Sequence, residues 1–263
     1  MQISSKSSTT RKTITNYKSM IKTALIVGGA NGVGLSIATE LANRQECQRV
    51  YIVDKAPIAE ENNNEKFEYH SFDLISGDYL LFDQFKDVDA LMITAGFGRL
   101  ALFKDVAEAH ISDSFAVNSI APIRIIHRFM DRLQSDNPFY CGVMVSIAGF
   151  MSSPFFAVYG ATKAALKIFI ESVNVELEKG GWCNRILNVS PGSIAGTSFN
   201  NGKTDISVTK PLAQEIIVHL ENQEDLFIPK YEEIFREVLE RYNKDFREEG
   251  RHSYEYKLKS GRI

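Results

Sequence analysis

The chain has 263 residues, 44% of them hydrophobic, and a formal net charge of −3. That length and apolar content suit one soluble domain with a sizeable core, and the charge gives no sign of a nucleic-acid-binding or membrane-surface protein. The cysteines Cys47, Cys141 and Cys183 fit neither a disulfide framework nor a metal-ligand spacing, and no apolar run approaches the roughly 18 residues of a membrane span. We therefore predict a cytoplasmic protein without a metal site or a membrane partner.

The first twenty residues differ in composition from the rest. They are rich in Ser and Thr, carry four basic side chains and contain no acid. The segment lacks the apolar stretch of a secretory signal, and its single arginine and weak amphipathic pattern argue against a mitochondrial transit peptide. We predict a disordered tail over residues 1–20, with an upstream start before Met20 as the alternative.

From Ile21 onward, short apolar runs alternate with longer segments of helical period, which is typical of βαβ units around a parallel sheet. The predicted strands are Thr23–Gly28, Val50–Asp54, Phe67–Ser71, Ala90–Thr94, Cys141–Ser146 and Arg185–Ser190, with a short seventh over Leu226–Ile228 left open. The predicted helices are Val33–Arg44, Ser76–Phe85, Ala107–Leu133, Ala157–Lys179 and Leu212–Glu221. This pattern predicts one doubly wound α/β domain over residues 21–229, with a mainly parallel sheet of six or seven strands.

Beyond residue 229 the pattern changes. Apolar side chains recur every four residues, at Ile234, Val238, Tyr242 and Phe246. This spacing predicts an added amphipathic helix near Tyr231–Phe246, packed on the body of the domain or on another subunit. The stretch Arg251–Ile263 is polar and basic, and we predict a solvated tail there. Residues 230–263 are thus predicted to be a helical extension and tail of the same domain.

Three glycines follow the first predicted strand and open the first predicted helix. Gly28, Gly32 and Gly34 have the spacing GxxxGxG. Glycine lets the backbone approach a pyrophosphate, and the helix N-terminus offers free N–H groups and a partial positive charge to it. A P-loop would need a lysine after Gly34, where Leu35 and Ser36 stand instead. The glycines therefore predict a dinucleotide site.

Asp54 ends the second predicted strand twenty residues after Gly34, where a carboxylate can accept both hydroxyls of an adenosine ribose. A 2′-phosphate beside that carboxylate would meet like-charge repulsion, so Asp54 favours NAD over NADP. The neighbouring Lys55 would soften this repulsion, which leaves NADP as the alternative. Asp73, after the third strand, is placed to meet the adenine amino group, with an ordinary exposed loop aspartate as the alternative.

A tyrosine and a lysine share one face of a predicted helix. Tyr159 and Lys163 are four residues apart within Ala157–Lys179. Ser146 lies thirteen residues before Tyr159, at the carboxyl end of a predicted buried strand, which is where open parallel sheets bind ligands. Each of these residues alone is uninformative, because such pairs often arise by chance on a helix surface.

Further residues complete a pattern that covers most of the chain. In order, the pattern consists of Gly28, Gly32, Gly34, Asp54, Ala95, Gly96, Asn118, Ser146, Tyr159, Lys163, Pro191 and Gly192. Over about residues 21–229 this order and spacing resembles the compact, non-extended short-chain dehydrogenases/reductases. The stretches from Ser146 to Gly149 and from Tyr159 to Ala165 are the most specific part. The resemblance implies a Rossmann-like fold and an NAD(P)-dependent oxidoreductase acting on an alcohol or a ketone.

The resemblance also implies a role for each residue. Tyr159 would exchange a proton with the substrate oxygen during hydride transfer, and Ser146 would hold that oxygen in line. Lys163 would bind the nicotinamide ribose and favour the phenolate, because a free tyrosine has a pKa of about 10. Asn118 would kink its helix and hold a water for the proton relay. The implied cofactor-binding residues are Gly28, Asn31, Gly32, Val33, Gly34, Asp54, Asp73, Leu74, Ala95, Gly96, Tyr159, Lys163, Pro191, Gly192 and Ile194.

The chain departs from the family pattern in three places. Val27 stands where the family has Thr, and Ile93 and Thr94 replace two asparagines. The segment between Gly192 and the possible seventh strand is short, and an added helix takes the place of the more usual strand near the terminus. These departures keep open a non-catalytic member that binds a nucleotide or a partner. A longer epimerase or dehydratase is disfavoured, since its GxxGxxG turn and larger C-terminal domain are missing. Scattered histidines and the lack of a GxSxG turn disfavour metal-dependent and hydrolase chemistry.

The substrate is predicted only as a small alcohol or carbonyl compound. Several apolar side chains either line its pocket or belong to the core: Phe97, Phe150, Met151, Phe155 and Phe156. A lid is expected near Thr197–Thr209, with Phe199 as its large apolar group. Lys203, Lys210 and the basic tail weakly indicate an anionic substrate. The resemblance implies a homodimer or homotetramer, formed through the helices that contain Asn118 and Tyr159.

Overall fold

The structure is a computed structural model that describes residues 21–197, 199 and 202–259. These residues form one α/β domain around a seven-stranded parallel sheet of order β3-β2-β1-β4-β5-β6-β7. The strands are β1 (Thr23–Val27), β2 (Arg49–Asp54), β3 (Phe67–Ser71), β4 (Ala90–Ile93), β5 (Tyr140–Met144), β6 (Ile186–Val189) and β7 (Leu226–Phe227). The prediction of a doubly wound, Rossmann-like domain is confirmed, including its short seventh strand. The predicted tail over residues 1–20 lies outside the described residues.

Helices cover both faces of the sheet. Within the described residues the α-helices are α1 (Gly32–Ala42), α2 (Glu108–Phe115), α3 (Ala121–Arg128), α4 (Met130–Leu133), α5 (Ala157–Lys179), α6 (Ile206–Glu221), α7 (Arg236–Lys244) and α8 (Phe246–Lys259). Helices α1 and α6 pack on one face of the sheet, and α3 and α5 pack on the other. None of these helices is both long enough and apolar enough to cross a membrane.

The central strand β1 is buried on both faces. Leu25 and Val27 point to the layer that contains α3 and α5, whereas Ala24 and Ile26 point to the layer that contains α1 and α6. All four side chains are fully buried, as expected for a parallel strand between two helical layers. The strand order reverses direction between β1 and β4, so a crevice opens where their carboxyl ends meet.

The second predicted helix has a different geometry from the one expected. Instead of an α-helix over Ser76–Phe85, the chain forms a 3₁₀ helix over Tyr79–Phe85. The side chain of Asp78 accepts a hydrogen bond from the Leu80 N–H and so fixes the start. This local cap competes with the helical turn that would otherwise begin earlier.

The long predicted helix Ala107–Leu133 is interrupted. It consists of α2, a π-helical turn over Ala116–Ile120, then α3 and α4, with a further break at Phe129. The π-helical turn contains Asn118, whose side chain is bonded to a neighbouring loop. Tertiary contacts therefore determine the interruption, which helical periodicity alone does not reveal.

Helix α6 begins six residues earlier than the predicted start at Leu212. Asp205 caps it by accepting a hydrogen bond from the Ser207 N–H. Pro211 lies inside the helix, where it lacks an N–H to donate. A hydrogen bond between the buried Ser36 and Thr209 hydroxyls ties this first part of α6 to α1 and offsets part of that loss.

The C-terminal region contains two α-helices, where the sequence predicted one helix and a tail. A π-helical turn over Tyr231–Phe235 leads into α7, and α8 continues to Lys259. Asp245 separates the helices because its backbone is extended and its carboxylate accepts from the first N–H groups of α8. The predicted solvated tail is therefore wrong up to Lys259, and residues 260–263 lie outside the described part of the chain.

Candidate functional site

The glycine turn between β1 and α1 is a backbone cradle. Gly28 and Gly32 have φ of +85° and +53°, a region that favours glycine. A Cβ on Gly34 would lie 2.2 Å from the Gly28 carbonyl oxygen, so a side chain there would collide with the turn. Asn31 is the extended residue before α1, and the buried Val33 lies in its first turn. The turn therefore brings backbone, without intervening side chains, to the N-terminus of α1, where a dinucleotide pyrophosphate could bind.

Thr94 supports this cradle from the next strand. Its hydroxyl can donate to the carbonyl oxygens of Val27, at 3.1 Å, and Gly28, at 2.9 Å. The Ala95 N–H also donates to the Val27 carbonyl. The residues that depart from the family pattern thus supply their own contacts between β1 and β4.

Asp54 lies at the carboxyl end of β2 beside the glycine turn. One carboxylate oxygen accepts from the Ala30 N–H and the other from the Ala56 N–H, each at 3.0 Å. The Tyr69 hydroxyl donates to the Asp54 carbonyl oxygen from the neighbouring strand. These bonds orient the carboxylate before any ligand binds. They hold it beside the glycine turn, where an adenosine ribose would lie.

Asp73 pairs with a lysine at the far end of the same crevice. The Lys55 ammonium lies 2.9 Å from an Asp73 carboxylate oxygen. This hydrogen bond, followed by one from the Ile75 N–H, holds the pKa of Asp73 below its ordinary value. Leu74, the next residue, is partly buried against the core. The pair joins the loops that follow β2 and β3, at the edge where the adenine was predicted.

Asn118 fastens the loop after β4 to the helical layer. Its side-chain amide accepts from the Phe97 N–H at 3.0 Å and donates to the Phe97 carbonyl oxygen at 2.8 Å. It also donates to the Thr162 hydroxyl on α5 at 3.2 Å. A Cβ on Gly96 would lie 3.1 Å from the Asn118 side chain and 3.4 Å from the Lys163 ammonium. Asn118 therefore shapes the backbone between the glycine turn and α5.

Tyr159, Lys163 and Ser146 come together at the carboxyl edge of the sheet. Tyr159 and Lys163 lie on the first turns of α5, and Ser146 follows β5. The buried Lys163 ammonium donates to the Met144 carbonyl oxygen at 2.9 Å and lies 5.7 Å from the Tyr159 ring centre. The Ser146 hydroxyl accepts from the Ala148 N–H at 3.1 Å. Three of the four side chains predicted to be catalytic thus lie together, and the fourth, Asn118, contacts the same helix through Thr162.

Burial shifts the ionisation of this site toward neutral forms. It raises the pKa of Tyr159 to about 12, while a side-chain hydrogen bond with Ser146 acts in the opposite direction. It also lowers the pKa of Lys163 to about 7. The tyrosine is therefore protonated at neutral pH, whereas the lysine titrates near neutrality and its charge responds strongly to its surroundings.

The loop after β6 closes the other side of the crevice. Pro191 is buried, and its carbonyl oxygen accepts from the Ile147 N–H at 3.0 Å, so this loop is tied to the one that carries Ser146. The partly buried Ile194 packs against the core, and its carbonyl accepts from the Thr197 hydroxyl. Thr197 was not predicted as a site residue, yet its methyl group would lie 3.4 Å from a Cβ on Gly32. A hydroxyl residue soon after the Pro-Gly pair was the signal that could have revealed it.

Aromatic rings surround Tyr159. The ring centres of Phe156 and Phe199 lie 5.3 Å and 5.2 Å from that of Tyr159. A Cβ on Gly98 would lie within 3.2 Å of all three rings, so glycine is required at this position. Of the apolar residues proposed for the pocket, Phe156 is thus at the site, whereas Phe155 is buried.

One of the lysines that weakly indicated an anionic substrate does not lie at the site. Lys210, one of the hints of an anionic substrate, pairs with Glu40 on α1, away from Tyr159. Among the described residues, no group of three or more His, Cys, Asp or Glu side chains could hold a metal ion.

Comparisons with known proteins agree with this geometry. The sequence profile of the short chain dehydrogenases matches residues 22–206. The uncharacterized oxidoreductase TDA5 of Saccharomyces cerevisiae is 28% identical over 201 residues, which cover 72% of this chain and only 59% of the yeast protein. Retinol dehydrogenase 8 of Bos taurus is 26% identical, covering 82% of this chain and 73% of the bovine protein.

A solved structure shows the same fold. A short-chain dehydrogenase from Sphingobium yanoikuyae, in complex with NADPH, has a TM-score of 0.67 at 19% identity, and the match covers 85% of this chain and 95% of that structure. The profile match extends over most of the chain and contains the glycine turn, Asp54, Ser146, Tyr159 and Lys163. The chain belongs to the short-chain dehydrogenase/reductase family of oxidoreductases.

Proposed function

We propose that the protein is an NAD(H)-dependent oxidoreductase that interconverts a secondary alcohol and a ketone, with Tyr159 as the general acid and base. The observation that carries this proposal is the placement of Tyr159, Ser146 and Lys163 at the same sheet edge as the glycine turn. The name of the bovine relative, a retinol dehydrogenase, also supports an alcohol as substrate. The reacting carbon would lie between the tyrosine hydroxyl and the crevice of β1 and β4.

The ionisation of the site suits proton donation. A bound nicotinamide supplies or accepts the hydride at the reacting carbon. Because burial raises the pKa of Tyr159 to about 12, its hydroxyl holds the proton that the oxygen of a ketone takes up during reduction. In the oxidation direction Tyr159 takes the alcohol proton as a phenolate, which positive charge on Lys163 stabilises. Ser146 donates to the same substrate oxygen and holds it in line.

Asn118 acts as a positioning residue, because its side chain binds the backbone of the loop after β4. Both ends of its amide are bonded to Phe97, and its N–H groups also reach Thr162. We assign it to holding Gly96 and Phe97 against α5, which keeps the Lys163 ammonium beside the cofactor crevice. The resemblance also implied that Asn118 holds a water. Because its side-chain amide is bonded to Phe97 and Thr162, the backbone of the π-helical turn would have to hold that water.

Asp54 supports NAD as the cofactor. Its carboxylate is oriented by the Ala30 and Ala56 N–H groups and would lie beside the adenosine ribose. A 2′-phosphate there would be repelled. Lys55, the cation that could offset this repulsion, is already paired with Asp73. The NADPH complex of the structural relative keeps NADP as the alternative.

A homodimer or homotetramer is part of the proposal. The side chains of Ile120, Ile168 and Val175 are apolar and more than half exposed, at 51%, 57% and 55%. They lie on the π-helical turn and on α5, the helices through which the family assembles. Light scattering of the purified protein should give a multiple of the chain mass, and a monomeric mass would refute this part.

A cytoplasmic location is also part of the proposal. It is based on the three free thiols of Cys47, Cys141 and Cys183, because free thiols are typical of a reducing compartment.

The function is tested by combining cofactor titration with a tyrosine variant. NADH and NADPH are titrated by nicotinamide fluorescence, and turnover is screened on a panel of ketones and alcohols. Tyr159→Phe should bind NADH like the wild type and lose about a thousandfold or more in kcat. Tyr51→Phe, a tyrosine packed in the core layer, serves as the matched control. Binding of neither nucleotide, or equal turnover by Tyr159→Phe, would reject the proposal.

A further inference from the structure

The helices α7 and α8, with the π-helical turn before them, approach the site from two sides. The Phe235 ring packs so closely on Gly192 that a Cβ there would lie 2.7 Å from it. Gly192 is one of the residues that the resemblance implied to bind the cofactor. On the opposite side, α8 contacts residues 150–156, the loop that precedes α5. This loop is called the pre-α5 loop below.

A buried lysine joins α8 to the pre-α5 loop. The Lys257 ammonium lies 2.6 Å from the Ser153 hydroxyl and 2.7 Å from the Pro154 carbonyl oxygen. Lys257 is only 9% exposed, and it also lies 5.4 Å from the centre of the Phe156 ring. A buried ammonium is stable only where acceptors compensate its lost hydration, so these contacts fix the loop in one position.

The backbone of the pre-α5 loop needs such support. Phe155 has φ of +66°, a left-handed conformation that is strained for an aromatic residue. The Tyr254 ring of α8 packs on the Phe155 ring with centres 4.5 Å apart. The turn at Phe155 in turn directs Phe156 toward Tyr159. Helix α8 thus stabilises the conformation that places an aromatic ring beside the proposed acid.

The resulting wall consists of two aromatic rings that adjoin Tyr159 and each other. The ring centres of Phe156 and Phe199 lie 6.3 Å apart, and the absence of a side chain at Gly98 lets the three rings approach each other. A compound whose oxygen reaches the Tyr159 hydroxyl would place its substituent against these rings. Aromatic rings gain most from a flat apolar group that they can stack on or meet edge-on.

We propose that Lys257 of α8 is a positioning residue for Phe156, and that the aromatic wall selects an alcohol or ketone with a planar apolar group next to the reacting carbon. This inference rests on the oxidoreductase function proposed above. It gives the C-terminal helices a role in substrate selection, and it replaces the weak indication of an anionic substrate.

The first test measures the loop itself. Hydrogen–deuterium exchange is followed over residues 150–156 in the wild type, Lys257→Met and Lys259→Met. Lys259 is exposed on the same helix, so it is a matched control for losing one charge. Exchange should rise about tenfold in Lys257→Met alone and return toward the wild-type rate in Lys257→Arg. Equal exchange in all four proteins would overturn the positioning role. Ser153→Ala, which removes one acceptor, tests the same contact if Lys257→Met fails to fold.

The second test measures selection. KM and kcat are compared for acetophenone and for 2-butanone, whose substituents are planar and non-planar. In Lys257→Met and in Phe156→Ala, KM for acetophenone should rise about tenfold more than KM for 2-butanone, while kcat changes little. A parallel loss for both ketones, or a wild-type preference for 2-butanone, would overturn the proposed substrate class. If the wild type turns over no carbonyl compound, the proposed function fails, whereas the exchange experiment still decides the role of Lys257.

Discussion

The Thr94 hydroxyl lies 2.9 Å from the carbonyl oxygen of Gly28 and donates to it across the junction of β4 and β1. The glycine turn is thereby held by a hydroxyl from the neighbouring strand. The family pattern has an asparagine at this position. The structure shows that a shorter side chain can hold the turn.

Replacing Thr94 with Val should loosen the turn without changing side-chain volume. A lost hydrogen bond of this kind costs about 1–2 kcal/mol, so NADH affinity should fall roughly five- to thirtyfold. Fluorescence titration measures the affinity, and thermal unfolding measures the accompanying loss of stability. Thr94→Ser keeps the hydroxyl and should bind like the wild type. If Thr94→Ser and Thr94→Val are equally impaired, packing of the methyl group matters and the hydrogen bond does not.

Asp54→Asn should change the preference between the two nucleotides. The change removes the negative charge but keeps one oxygen that can accept from the Ala30 N–H. NADPH affinity should rise about tenfold, because the like-charge repulsion with the 2′-phosphate disappears. NADH affinity should fall, because an amide oxygen is a weaker acceptor for ribose hydroxyls. Asp87→Asn, an exposed aspartate, is the control for net charge. An unchanged NADH/NADPH ratio would remove Asp54 from cofactor selection.

The titration of Lys163 predicts a pH dependence of cofactor binding. Burial lowers the pKa of Lys163 to about 7, so the free protein loses this charge as the pH rises through neutrality. An anionic dinucleotide favours the ammonium and therefore raises the pKa in the complex. NADH affinity should be level below about pH 6 and fall by up to about tenfold per pH unit above pH 7.

The same titration is repeated on Lys163→Met, which should give a weaker but flat profile between about pH 6 and pH 9. NADH is used because the oxidised cofactor carries a positive nicotinamide ring. Repulsion between that ring and the Lys163 ammonium would otherwise add to the pH dependence of binding. A slope that persists in Lys163→Met would assign the proton uptake to another group.

Asn118→Ala should disconnect the loop after β4 from α5. The change leaves the Phe97 N–H and carbonyl without their side-chain partners, which costs about 2–4 kcal/mol in the free energy of unfolding. Turnover should fall further than NADH affinity, because Gly96 and Phe97 border the Lys163 ammonium. Urea unfolding and steady-state kinetics measure the two effects. Asn43→Ala, at the end of α1, should alter neither by a comparable amount.

The sequence was sufficient to predict the sheet and the position of Tyr159, Lys163 and Ser146 together at its carboxyl edge. Buried parallel strands have near-continuous apolar runs, and the four-residue spacing of Tyr159 and Lys163 by itself places them on one helical face. The break at Asn118 depends instead on a contact with Phe97, twenty-one residues earlier in the chain. Local periodicity contains no information about such a contact, so the helix was predicted as continuous.

The C-terminal region shows a second kind of error. Asp245, followed by Glu248, is a helix-start signal, and it marks the beginning of α8 in the sequence. The polar and basic composition after residue 250 nevertheless led to a predicted tail. Composition predicts solvent exposure on average, but it does not reveal that one lysine, Lys257, is buried against a loop that lies far away in the sequence.

That contact spans 104 residues of sequence, from Ser153 to Lys257. A chain emerging from the ribosome can complete the sheet and the glycine turn long before α8 is available. The order of synthesis therefore makes the position of the pre-α5 loop one of the last features of the fold to be fixed, after every strand of the sheet has been made.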